Sequence, residues 1–283
     1  MWNVYSKGRT FLPAEARSVR SASRHRNGNA WLFILTSFLG SIWLLLAGVE
    51  AALASPIYIN SIADLQTLQS DLSGDYVLAS DVDASGFDFA PIGSLTTGYG
   101  FSGTLNGNGH TISNLVINDS ADVGVGLFGF IDSSGVVQNL YLTNALVTGS
   151  YQGLYSGEPG GAARVGILAG DNGGTITNVS VNGVVTSNHN AGGLVGLNGG
   201  TISQSSSTGS VIIGDDRAIE GNNLAAGGLV GLNIGEIHDA YSRSSVVSDS
   251  GNVYPAMGGL VGQNGDFVAG YASGGLIRNT YAT

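Results

Sequence analysis

The chain has 283 residues, of which 46 are Gly, 5 are Pro and none is Cys; 43% are hydrophobic, 11% are charged, and the net charge is −10. Gly at about twice its usual share with so little charge argues against a helical globule, and the apolar fraction argues against a disordered chain. The absence of Cys rules out a disulfide framework.

Lys7, Arg9, Arg17, Arg20, Arg24 and Arg26 precede residue 30, opposed there by Glu15 alone. An apolar run from Trp31 to Val49 and the small-x-small site Ala52-Leu53-Ala54 follow. A basic region, an apolar region and such a site make a secretory signal over residues 1–54, with 31–49 as its apolar part and cleavage after Ala54. The run is also long enough to serve as an uncleaved membrane anchor. In both cases the positive side stays cytoplasmic, so the rest of the chain is expected outside, extracellular or at the cell surface. From Ser55 onward there are eighteen acids and only four bases, Arg164, Arg217, Arg243 and Arg278. That balance repels nucleic acid. Membrane contact is expected only through the N-terminal signal or anchor.

Residues 55–110 read as an N-terminal cap and first coil. Ser61 to Ser70 fits a short helix, with Ser61 as N-cap, Asp64 three residues on, and Ile62, Leu65 and Leu68 as apolar positions. Tyr76 to Leu78 reads as strand. Asp81, Asp83 and Asp88 form a small acidic cluster; turn chemistry explains it, and a calcium site is the other reading.

Residues 111–283 repeat. Gly126-Leu127-Phe128-Gly129 and Gly166-Ile167-Leu168-Ala169-Gly170 come first. Three closer copies follow: Gly192-Gly193-Leu194-Val195-Gly196, Gly227-Gly228-Leu229-Val230-Gly231 and Gly258-Gly259-Leu260-Val261-Gly262. From final Gly to final Gly the steps are 41, 26, 35 and 31 residues. A second column places an apolar β-branched residue two positions before Asn114, Asn139, Asn178, Gln204, Asp239 and Asn279. Period-two alternation then follows, as at Leu140 and Leu142 or Val179 and Val181, which is a strand signal. One such strand buries too little to be stable alone, and stacked copies build a continuous core. The expected fold is all-β, a right-handed parallel β-helix (β-solenoid). The repeat Gly residues are expected to allow positive φ and close backbone approach at corners. The Asn/Gln/Asp column is expected at a corner with amides bonded from coil to coil, and Asp239 is expected to weaken one rung. The 26-residue step is a bare coil; the longer steps carry insertions near Ser150–Arg164, Gly214–Leu224 and Ser248–Ala256, expected as loops. Thr283 falls in mid-repeat, so the chain is expected to be truncated.

Gly193-Leu194-Val195-Gly196-Leu197-Asn198-Gly199-Gly200-Thr201-Ile202 resembles the GLUG motif, named for its Gly-Leu-x-Gly core. Arg278-Asn279-Thr280-Tyr281-Ala282-Thr283 looks like the motif's continuation, and Phe101 to Ile112 like the segment that precedes such repeats. The resemblance covers roughly residues 58–283. It implies a bacterial, exported β-helical protein of the kind found in filamentous-haemagglutinin-like adhesins, other large surface proteins, and beside protease domains. It supplies no catalytic residue.

Enzyme chemistry finds little support. None of His25, His110, His189 and His238 is followed by Glu as a zinc protease motif requires. His238 is expected to face solvent. Gly124 to Gly129 matches a dinucleotide fingerprint only formally, since the repeat accounts for the same glycines. No catalytic residue, cofactor or metal is assigned. Tyr141, Tyr241 and Tyr281 are expected to share one outward column with Val116, Ser180 and Ser206. They make either plain strand surface or a stripe that stacks on sugars or anchors a partner. The function expected is an adhesin-like or structural surface module, presenting loops to host or environmental glycans and proteins. The alternatives are a carbohydrate-active β-helix and a stalk for a further C-terminal domain.

Overall fold

The computed structural model describes residues 55–150, 163–214, 224–249, 255–268 and 271–283. The signal segment and most of the three insertions lie outside these residues. Among the described residues, no helix is long and apolar enough to cross a membrane.

The protein is a parallel β-helix. Its coils build three stacks: one 14-stranded sheet and two five-stranded sheets. The 26-residue step shows the unit coil. Ala169–Asn172 lies in the second short sheet; Gly173 and Gly174 turn into the long strand Thr175–Ser187. Asn188 and His189 then lead to Asn190–Gly192 in the first short sheet, and Gly193-Leu194 turns into Val195–Asn198, where the next coil begins. Ala169 pairs in parallel with Phe128 on one side and Val195 on the other, and Val195 with Val230, then Val230 with Val261. Spatial stacking therefore reproduces the sequence steps.

The long strand shows why the pattern reads as it does. Strict alternation from Ile176 would bring Asn178 and Ser180 inward. Instead Asn178 takes φ 54°, a left-handed bend of one residue that shifts the phase. Ile176, Val179 and Val181 are all buried as a result. Asn139 does the same for Val137, Leu140 and Leu142. A second bend at Asn144, φ 54°, then turns Ala145 and Val147 inward. That extra residue makes the register between Val136–Gly149 and Thr175–Ser187 shift between Val181 and Gly183.

The Gly-Leu corners stack a second core column. Leu127, Leu168, Leu194 and Leu229 are fully buried. Their backbones bond coil to coil, Leu194 N–H to Leu229 O at 2.9 Å and Leu229 N–H to Leu260 O at 2.8 Å.

The N-terminal end is closed. Ile57–Ile59 pairs with Asp75–Leu78, and between them Ile62–Gln66 forms a helix that Thr67–Ser70 extends as 3-10 turn. The Ser61 hydroxyl accepts from the Asp64 N–H, and Asp64 in turn accepts from the Asn60 N–H. Leu65 and Leu68 are fully buried over the core, in which the Phe101 and Phe128 rings meet tilted with their centroids 4.8 Å apart. At the other end the last coil leaves Met257, Leu276 and Tyr281 about half exposed. In that coil an antiparallel hairpin, Asp266–Val268 with Tyr271–Ser273, replaces the plain Gly-Gly turn.

Candidate functional site

The repeat residues serve the scaffold, by a narrower mechanism than the sequence suggests. Gly129, Gly170, Gly193, Gly196, Gly228, Gly231, Gly259 and Gly262 are absent from the positive-φ set. Close approach is what requires glycine here. A Cβ on Gly196 would stand 2.5 Å from Val165 N, and one on Gly262 2.6 Å from Ala226 N, so the two short sheets touch backbone to backbone. Gly193 and Gly228 would meet the carbonyls of the next coil, whereas Gly259, in the last coil, meets only the Ala282 methyl at 3.0 Å. Leu194 and Leu229 fill the corner, and Leu260 is partly buried at its end.

Positive φ falls instead on the amide column: Asn114 59°, Asn139 55°, Asn178 54°, Gln204 49°, Asp239 53° and Asn279 49°. Short polar side chains tolerate this region best. The structure splits the column in two. Asn178 Nδ2 donates to Asn139, and Asn139 Nδ2 to Asn106. Asn114 belongs to the other bend: it donates to Asp83 and accepts from Asn144. The missing rung is at Gln204, whose longer side chain bonds to neither neighbour among the described residues. Asp239 accepts from Asn279 Nδ2 at 3.2 Å and lies 2.9 Å from His238 Nδ1. The rung at Asp239, expected to be weakened, is formed, because a carboxylate is a good acceptor for the amide above it.

A second ladder lies inside. Asn172, Asn198, Asn233 and Asn264 link side chain to side chain at 2.8, 2.8 and 2.7 Å. The first three are fully buried. Sequence reasoning passed over this column, although Gly-x-Asn recurs at Gly170, Gly196, Gly231 and Gly262 as regularly as the Gly-Leu pair.

The acidic cluster is spent on turns. Asp81 accepts from Thr111 N–H and lies 3.2 Å from His110 Nδ1; Asp83 accepts from Asn114, Ser85 N–H and Ser85 Oγ. These bonds hold both carboxyls below their ordinary value, that from Thr111 leading for Asp81 and that from Asn114 for Asp83. Asp88 instead borders a shallow cleft with Phe89, Pro91, Ile117 and Asp119. Among the described residues, no group of three or more His, Asp or Glu is placed to hold a metal ion. Arg164 and Asp171 pair between the two short sheets, next to a separate apolar cluster of Leu197, Ala225 and Leu232. Burial pushes the Asp171 carboxyl up, against the pull of Arg164.

Two outward features remain. On the long sheet Tyr141 is in register with Ser180, Ser180 with Ser206, Ser206 with Tyr241 and Tyr241 with Tyr281. Val116 does not share this column; it pairs with Leu146, and Thr111 sits beside Tyr141. The other feature is the corner between the long sheet and the first short sheet. The three insertions enter there, after Ser150, Gly214 and Asp249, and chain returns at Ala163, Leu224 and Pro255.

The family described as the GLUG motif matches residues 187–212, which is the end of one long strand, the bare corner and the following coil. The chain carries a GLUG motif in that coil. Halomucin of Haloquadratum walsbyi is 40% identical over 153 residues, covering 50% of this chain and 2% of halomucin. A protein of Evansella cellulosilytica described as a Gly-rich membrane protein is 34% identical over 143 residues, 48% of this chain and 15% of that protein. The chain thus spans only a small part of the relatives it matches. A solved structure titled IgA1 Protease superposes with TM-score 0.52 at 16% identity, over 79% of this chain and 19% of that one. The likeness is one of fold.

Proposed function

We propose that this chain is an exported, non-enzymatic surface module, adhesin-like or structural, whose coils present inserted segments from one corner. The observation that carries the reading is the shared corner. Three insertions of different length join the β-helix at one position in the coil, while the GLUG-matching coil closes that position with two residues, Asn188 and His189. A scaffold that holds its core constant and varies one edge suits presentation. The acidic balance, the basic N-terminal segment and relatives named halomucin and Gly-rich membrane protein support a place outside the cell. The protease title belongs to a chain of which this fold matches 19%, and gives no reaction to this one. Protease treatment of intact cells, read with an antibody to residues 163–214, tests the location. Loss of signal without cell lysis is expected; full protection in intact cells with digestion after lysis would place the repeats inside and end the proposal.

A further inference from the structure

We infer that the outer face of the long sheet, between Tyr141 and the Tyr241–Tyr281 pair, binds a glycan carrying a single carboxylate. Tyr241 and Tyr281 stack at 5.1 Å with 6° between their planes, and the Arg243 guanidinium lies 5.4 Å from the Tyr241 centroid. Arg243 is exposed, and alone of the three arginines among the described residues it has no carboxylate partner there; Arg164 pairs with Asp171 and Arg278 with Glu236. Three rungs separate Tyr141 from Tyr241, about 14 Å at parallel-strand spacing. The two rungs between are small. Half-buried Ser180 bonds hydroxyl to hydroxyl at 2.8 Å with Ser206, which is buried, and beside them the exposed Asn182 donates to the half-buried Thr208 at 2.9 Å. The result is a polar floor between aromatic ends, with one cation at one end.

The chemistry of each part limits the occupant. Hydroxyls and amides both donate and accept, which suits the hydroxyls of a sugar. Tyrosine rings offer apolar faces for its C–H side and a phenol for its edge. An arginine freed from any acid holds a carboxylate through two parallel bonds. The floor lacks the large apolar pocket on which protein partners rely. One cation on a chain of net charge −10 accepts one negative group and repels a polyanion.

Calorimetric titration of the purified full chain decides the matter, independently of where the protein resides in the cell. The probes are a trisaccharide with one terminal galacturonate, its neutral galactose counterpart, and polygalacturonate. The acidic trisaccharide is expected to bind about tenfold more tightly than the neutral one, the worth of one charge-assisted contact. Arg243→Gln is expected to abolish that preference, and Tyr281→Ser to weaken both sugars, each with an unchanged unfolding temperature. No binding of either trisaccharide, equal binding by the wild-type chain, an undiminished preference in Arg243→Gln, or tightest binding to polygalacturonate would each overturn the inference.

Discussion

A methyl group on Gly196 would press to within 2.5 Å of Val165 N, in a backbone that has no flexible end to yield. Gly199, three residues on, would place its Cβ 3.6 Å from the nearest atom, Asn172 O, which is ordinary contact. Neither takes positive φ, so substitution by Ala isolates packing from conformational strain. Gly196→Ala is expected to cost about 1–3 kcal/mol, the usual range for overpacking. Gly199→Ala is expected to stay within about 0.5 kcal/mol of the parent. Denaturant unfolding of both checks the pair. Residues of this kind were legible in the sequence as repeats, but their reason was not: spacing marks where Gly recurs, and only the approach of the short sheets says that a side chain has no room.

At the scale of the strand and its neighbours, an amide of the inner ladder and an amide on the outer face differ in what surrounds them. Asn198 is fully buried, donating to Asn233 and accepting from Asn172. Asn182 is exposed, and among the described residues its side chain bonds Thr208 alone. Removing Asn198 leaves a buried donor and a buried acceptor without their partners, each worth about 1–3 kcal/mol. Asn198→Ala is therefore expected to lower unfolding stability by about 2–4 kcal/mol, and Asn182→Ala by under about 0.5 kcal/mol. Equal effects would show that the inner ladder adds nothing beyond the outer contacts. Fold class was readable here because Ile-x-Asn and Gly-Leu each recur with one burial pattern. The inner ladder recurs just as faithfully, yet an Asn looks the same in sequence whether a coil covers it or water does. The partners of Tyr141 were hidden for another reason: Asn114 aligns with the second bend, Asn144, and not with the first, Asn139, so Thr111 faces Tyr141 and Val116 faces Leu146. The Arg164–Asp171 pair occurs in a single coil, so no repetition could expose it.

For the whole β-helix, the question is whether the insertions are part of the scaffold or cargo on it. Register answers in outline. Ser187 pairs with Ile213, and Ala191 with Ala226, so residues 214–224 occupy the place that Asn188 and His189 fill in the bare coil. Deleting the nine residues 215–223 would leave Gly214 and Leu224 as a two-residue link and shorten the 35-residue step to 26, the length of the natural coil beside it. Closing a shorter loop also lowers the entropy lost on folding, by an amount that grows only slowly with length. The deletion variant is expected to unfold cooperatively within about 1 kcal/mol of the parent. Its far-ultraviolet circular dichroism should remain that of a β-helix. Loss of cooperative unfolding would mean that the segment holds neighbouring coils together, as the small cluster of Leu197, Ala225 and Leu232 beside that corner would then require. Retention would separate the two layers of the molecule: a core that the GLUG repeat fixes, and an edge free to vary its chemistry without renegotiating the fold.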